Sequence, residues 1–162
     1  MKAWVVYDSV YGNTEKIAKA IGNVLENQAE VAVLRIGDTN PDHFSDLSLL
    51  IVGSPTQRLQ PTPATNDLLK RIPKNGLKGV KVAAFDTRLT LSQIEATPTL
   101  AFFVRIFGYA AKPITNRLVK KGGELVVPPE GFFVAGMEGP LVEGELERAA
   151  QWAKQILMQV TQ

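Results

Sequence analysis

The 162-residue sequence predicts an α/β fold, a five-stranded parallel sheet with helices on both faces. Strand-like and helix-like segments alternate along the chain. Residues 47–53, LSLLIVG, form the continuous apolar run that a strand buried on both faces requires. A glycine-bearing turn, residues 9–14, joins the first strand to the first helix, where free backbone amides gather.

Each element follows from local chemistry. Residues 2–8, KAWVVYD, are β-rich and apolar. Residues 14–27 place Ile17, Ala18, Ile21, Val24 and Leu25 on one helical face. Residues 30–36 alternate apolar and polar side chains and read as the second strand, and residues 47–53 as the third. Thr62 is a cap and Pro63 suits the first helical position, opening a helix to about Ile72. Residues 79–85, GVKVAAF, are the fourth strand. A helix over 110–121 ends at Gly122-Gly123, and the fifth strand begins at 124–127. The last helix aligns Leu146, Ala149, Ala150, Ala153, Ile156, Leu157 and Val160 on one stripe. Glu143, Glu145 and Glu147 near its start complement the helix dipole. No repeat or linker interrupts the pattern, so one domain over 1–162 is expected.

Composition narrows the chemistry. The chain has no cysteine, which excludes disulfides, thiol redox chemistry and cysteine-ligated iron–sulfur clusters. Electrons, if handled at all, must sit on a bound organic cofactor. The single histidine, His43, falls in a polar stretch and reads as a surface residue, so no metal site is expected. The apolar N-terminal run reads as a strand and not a signal peptide, and no stretch of about 18 apolar residues exists. A cytoplasmic protein without a transmembrane segment is the expectation. Charge is uneven. Residues 1–57 carry 4 basic and 7 acidic groups, residues 58–121 carry 12 and 3, and residues 122–162 carry 2 and 6. The middle segment is thus net +9, a property that speaks to partners and not to fold.

The turn Ser9-Val10-Tyr11-Gly12-Asn13-Thr14 is the most informative motif. Its amides face the start of a helix, Ser9 and Thr14 add hydroxyls, Asn13 adds an amide, and Gly12 allows close backbone approach. It contains neither lysine nor arginine. A nucleoside triphosphate loop would need GxxxxGK[ST], and a dinucleotide loop GxGxxG. Neither is present. A neutral turn of this kind suits one phosphate monoester, although a plain capped turn also fits the spacing. A phosphoacceptor receiver domain needs an aspartate ending the third strand, where this chain has Gly53-Ser54-Pro55.

With Ser9, Gly12, Asn13 and Thr14 in these places, the sequence resembles the flavodoxin family. Tyr11 stands where the family usually has threonine or serine. The stretch LLIVGSPTQRLQPTP is similar to the family's second flavin loop, and Phe85-Asp86-Thr87-Arg88 to its third in a subset of members. Phe132-Phe133-Val134 and Gly139-Pro140-Leu141 also recur in that subset. The resemblance implies a flavodoxin-like three-layer sandwich of strand order 2-1-3-4-5 with noncovalent FMN at the switch point. It implies a cofactor set of Ser9, Val10, Tyr11, Gly12, Asn13, Thr14, Pro55, Thr56, Gln57, Arg58, Asp86, Thr87 and Arg88. The isoalloxazine would lie between loops 54–61 and 86–91. Family members usually sandwich it with aromatic side chains from these loops, and neither segment contains one. Nor does Pro55-Thr56-Gln57 offer the glycine whose peptide often turns to hold the flavin. Trp4 and Trp152 are expected in the core. Arg58 and Arg88 would place positive charge beside the ring.

Two classes of function follow. One is electron transfer with FMN, to a redox partner whose docking surface is acidic. The other is an FMN-dependent oxidoreductase for a quinone, a porphyrinogen or a similar hydrophobic or anionic substrate. A weaker alternative is a flavin-free interaction module. No aromatic-interleaved basic motif points to nucleic acid. Residues 98–107, PTLAFFVRIF, form either an extra helical turn on the domain or an apolar patch. In the second case Phe102, Phe103 and Phe107 would meet a partner, a substrate or a second copy of the chain. No catalytic acid or base is nominated; Asp86, the nearest titratable group, is expected to hold loop backbone.

Overall fold

The computed structural model describes the backbone of residues 1–162 and every side chain except those of Phe103, Ile106 and Phe107. The strands are β1 (Lys2–Tyr7), β2 (Glu30–Arg35), β3 (Leu49–Pro55), β4 (Lys81–Leu89), β5 (Glu124–Leu125) and β6 (Glu130–Val134). The helices are α1 (Asn13–Leu25), α2 (Pro63–Arg71), α3 (Leu91–Glu95), α4 (Pro98–Phe107), α5 (Ala111–Lys120) and α6 (Glu145–Val160). The sheet runs β2-β1-β3-β4-β5 with parallel neighbours, and β6 also pairs with β4. This is the order the sequence resemblance implies.

Alternation along the central strands divides the core between two layers. Val5, Leu49, Ile51 and Phe85 pack beneath α1 and α6, while Val6, Leu50, Val52 and Val82 pack beneath α2 and α5. Phe85, Phe132 and Trp152 meet edge to face with ring centroids 6.0–6.1 Å apart. Trp4 meets Phe44 edge to face at 6.1 Å. Both tryptophans therefore serve packing. His43 is exposed in a 3-10 turn, Pro41–Asp46.

Two elements differ from the sequence reading. The fifth strand is broken, because Pro128 and Pro129 have no amide hydrogen to donate to the ladder. Val126 still donates to the Val82 carbonyl at 3.1 Å, and pairing resumes where Glu130 faces Phe85. The fourth strand runs four residues past the expected Phe85 end, to Leu89. Asp86, Thr87 and Arg88 are consequently strand residues between β3 and β6 and not a loop. The apolar stretch 98–107 is a helix that packs against α3. Phe102 is 58% exposed, whereas the side chains of Phe103 and Phe107 lie outside the described residues. Among the described residues no helix is long and apolar enough to cross a membrane.

Gly53, where β3 crosses the Phe85 ring, has no room for a side chain, since an added Cβ would overlap three ring atoms. Gly53→Ala is expected to lower stability by about 1–3 kcal/mol by displacing the aromatic trio. Urea midpoints followed by tryptophan fluorescence measure this, and an unchanged midpoint would show that the ring relocates at no cost.

Candidate functional site

The chain leaves β1 through a turn that is braced from below and open above. Asp8 accepts the Ser9 amide at 2.9 Å and the Thr62 hydroxyl, so one carboxylate links the turn to the start of α2. The Ser9 hydroxyl accepts the amides of Gly12 at 3.1 Å and Glu15 at 3.4 Å. Gly12 takes φ +91°, which an L side chain rarely adopts. Among the described residues the amides of Val10, Tyr11, Asn13 and Thr14 have no protein acceptor. Four donors therefore remain at the positive end of the 13-residue α1.

A cation does support the turn, although none lies within it. Parallel pairing sets Arg35 of β2 beside Tyr7 of β1. Arg35 donates to the Ser9 carbonyl at 3.0 Å and stacks over the Tyr7 ring at 5.5 Å. Tyr7 in turn donates to Glu15 at 3.0 Å. The Lys19 ammonium, at 3.1 Å, and then the Tyr7 hydroxyl hold the Glu15 carboxyl below its ordinary range.

The other loops are tied to this turn. The Thr14 and Thr87 hydroxyls are 2.8 Å apart, and the Thr56 amide donates to the Thr87 carbonyl at 2.9 Å. The Asn13 side chain donates to the Glu138 carbonyl at 3.1 Å. That amide, expected to face a ligand, instead fastens the turn to the loop after β6. Gln57 and Gln60 exchange two backbone bonds of 2.8 and 2.9 Å, closing a two-residue hairpin with Arg58 at φ +48° and Leu59 at φ +66°.

Asp86 is fully buried and bound on both carboxylate oxygens. Arg88 donates at 2.6 and 2.7 Å, and the Ala111 amide adds a bond of 2.9 Å. Burial is the largest influence on this carboxyl and pushes it up, opposed by Arg88 and the Ala111 amide. The Arg88 guanidinium lies over the Tyr109 ring, its Cζ 3.7 Å from the centroid. The positive charge expected of Arg88 is thus balanced, while Arg58 has no ion-pair partner among the described residues.

These parts enclose a cleft of about 800 Å³ at the carboxyl ends of β1, β3 and β4. Eleven of the thirteen residues singled out from sequence line it: Ser9, Val10, Tyr11, Asn13, Thr14, Pro55, Thr56, Gln57, Arg58, Thr87 and Arg88. Gly12 shapes the turn without lining the cleft, and Asp86 is buried beneath its floor. Sequence reasoning missed Arg35, Tyr109 and Ile94, while the stretch 98–107, offered as an extra helical turn or an apolar patch, reaches the cleft through Leu100 and Val104. Arg35 is the last residue of a readable strand next to the first, so its position was available as a signal. Tyr109 had none, because α3 and α4 intervene before it. Among the described residues no cluster of metal-ligating side chains occurs.

A family model described as a flavodoxin domain matches residues 4–128. An uncharacterised protein of Methanocaldococcus jannaschii is 30% identical over 132 residues, covering 73% of this chain and 34% of that protein. The chain thus spans about a third of the length of this curated relative. Among solved structures, a flavodoxin from the domain Archaea aligns with a TM-score of 0.78 at 22% identity over 100% of both chains. Flavodoxin 1 from Bacillus cereus gives 0.78 at 19% identity over 98% of each. The rubredoxin oxygen:oxidoreductase of Desulfovibrio gigas gives 0.73 at 20% identity over 99% of this chain and 36% of that one. At these identities the likeness is one of fold.

Arg88→Met strands the buried Asp86 charge and is expected to cost about 3–5 kcal/mol near neutral pH. Burial already holds the Asp86 carboxyl above its ordinary range in the parent, and loss of the counter-charge raises it further. The stability it allows is present below about pH 4 and lost as pH rises. Urea midpoints should therefore fall further behind the parent at pH 7.5 than at pH 4; equal deficits would mean that the stranded charge is not the cause.

Proposed function

The chain belongs to the flavodoxin family, and from that premise we propose that it binds one FMN noncovalently in this cleft and passes electrons between redox partners. The observation that carries this is the set of four unused amides over residues 10–14, at a helix start with no anionic side chain lining the cleft. A phosphate monoester supplies the acceptors those amides lack. Arg35 holds the Ser9 carbonyl and brings positive charge, shared with Glu15 at 4.0 Å, beside the turn. The cleft's volume lies within the roughly 300–1,000 Å³ of small-molecule sites.

In this assignment residues 9–14 hold the phosphate, and Pro55, Thr56, Gln57, Arg58, Thr87 and Arg88 flank the ring system. Asp86 positions Arg88 from below. Bound FMN supplies one- and two-electron chemistry, and the protein supplies orientation and field. Burial pushes the Tyr109 phenol up, opposed by the nearby Arg88 charge, so it stays neutral beside the cofactor. The segment of net +9 charge, residues 58–121, favours a redox partner that is acidic where it docks. The Desulfovibrio gigas protein is named as an oxidoreductase of rubredoxin and oxygen and contains a unit of this fold within a longer chain, which is consistent with delivery to a partner domain or protein. A cytoplasmic site of action and a single domain over 1–162 belong to the same proposal.

A second reading rests on the apolar wall. Ile94, Leu100 and Val104 give the cleft a surface that an electron carrier does not need. An FMN-dependent oxidoreductase would use it to seat a quinone, a porphyrinogen or a similar substrate. With photoreduced holoprotein, an enzyme gives saturation kinetics toward a water-soluble quinone, and Val104→Asp raises its KM. A carrier gives a linear dependence that Val104→Asp leaves alone.

Titration of apoprotein with FMN and with riboflavin tests the shared premise. FMN is expected to bind one to one and at least tenfold more tightly than riboflavin, a difference of about 1.4 kcal/mol. Arg35→Met is expected to weaken FMN about tenfold and leave riboflavin unchanged. Absence of uptake of either flavin at high excess rejects the flavoprotein assignment and leaves a flavin-free interaction module.

A further inference from the structure

We infer that a second compartment, behind the Arg58–Leu59 hairpin, binds the phosphate or carboxylate group of a small anionic molecule whose remainder reaches the flavin cleft. It is a cavity of about 720 Å³ bounded by the hairpin, α2, α4 and α5. Three cations line it, Arg58, Lys112 and Arg117, and none of its lining residues is acidic. Among the described residues none of the three forms an ion pair. Arg117 is half-buried, while Arg58 and Lys112 are exposed at the rim. Three like charges facing one hollow repel each other, and an anion placed there relieves that repulsion.

One of the cations is fixed in the wall and the other two stand at its rim. Arg117 is fixed by a 2.8 Å bond to the Asn66 side-chain oxygen, which orients a planar donor fork suited to phosphate or carboxylate. Lys112 sits in the first turn of the ten-residue α5, and its amide has no protein acceptor among the described residues. The helix dipole therefore adds to the three side-chain charges. Arg58 is held at φ +48° and Leu59 at +66°. The left-handed region is costly for residues with a side chain and persists where surrounding structure enforces it. The enforced turn makes Arg58 and Leu59 a shared wall, because both residues line the cleft and the second compartment. Leu100 and Asn66 also line both. An open hollow that shares lining residues with the cleft suits a small anion that spans both. The link to the flavin cleft rests on the proposed function; the anion site itself does not.

Calorimetric titration with inorganic pyrophosphate and, separately, citrate tests this at low ionic strength, on apoprotein and on protein saturated with FMN. At least one probe is expected to bind one to one in both forms. Lys112→Met and Arg117→Met are each expected to weaken it at least tenfold while FMN affinity stays unchanged. Preference for pyrophosphate assigns a phosphate-bearing ligand, and preference for citrate a carboxylate-bearing one. Lys112→Met is the safeguard against misfolding, because that side chain is exposed. The inference is overturned if neither probe binds, or if binding responds to Arg35→Met and not to Lys112→Met, which would put the anion on the phosphate turn. It is also overturned if only polyglutamate binds through Lys112 and Arg117, which would make the face a protein-docking surface. If FMN fails to bind while a probe still responds to these two positions, the flavin assignment falls and the anion site stands.

Discussion

A carboxylate cut off from water must be neutralised by its neighbours, and Asp86 has no exposed surface at all. The way the chain meets this demand organises the carboxyl end of the sheet. Arg88, two residues later on the same strand face, takes both carboxylate oxygens. The Ala111 amide takes one as well, which fixes where α5 starts. The paired guanidinium also covers the Tyr109 ring. A buried ion pair need not add net stability compared with an apolar substitute. Here it sets geometry: the direction of β4 as it enters the site, the origin of α5, and the orientation of one cleft wall.

The same division of labour holds across the site. Groups that could have met a ligand are spent on one another wherever rigidity is needed. Asn13 grips the Glu138 carbonyl, Thr14 meets Thr87, and Thr56 accepts the Ala110 amide at 3.2 Å. What stays unspent is narrow in position and uniform in sign: four amides on one turn, and cations at the hairpin and α5. Preorganised donors of this kind avoid the cost of rearranging when an anion arrives.

Much of this was legible in the sequence, for physical reasons. Local periodicity reveals strands and helices because burial acts on neighbours three or four, or two, residues apart. The turn over 9–14 was legible because its free donors are backbone amides that sequence spacing alone positions. The extent of β4 was not, since Asp86 reads as a loop residue until its partner is known. Arg35 and Tyr109 act on residues 26 and 21 positions away, Ser9 and Arg88 respectively. Such contacts depend on sheet register and on the return path of α3 and α4, neither of which is encoded locally. The Pro128-Pro129 break was visible in the sequence, but its effect on pairing required knowing that β4 continues far enough to recruit β6.

That break has a consequence for how molecules behave in a crowd. A sheet margin with a long row of free donors and acceptors invites strands of other molecules to add to it. Beyond β4 the margin has two halves, each blunted differently. The lower half, β5, is two residues long and runs toward prolines that offer no hydrogen. The upper half, β6, is sheathed by the returning chain: Val142 donates to the Phe133 carbonyl at 2.9 Å and Ala135 to the Pro140 carbonyl at 2.8 Å. Neither half gives an incoming strand enough consecutive rungs to zip on, so this flank of the sheet resists edge-to-edge polymerisation even at high concentration.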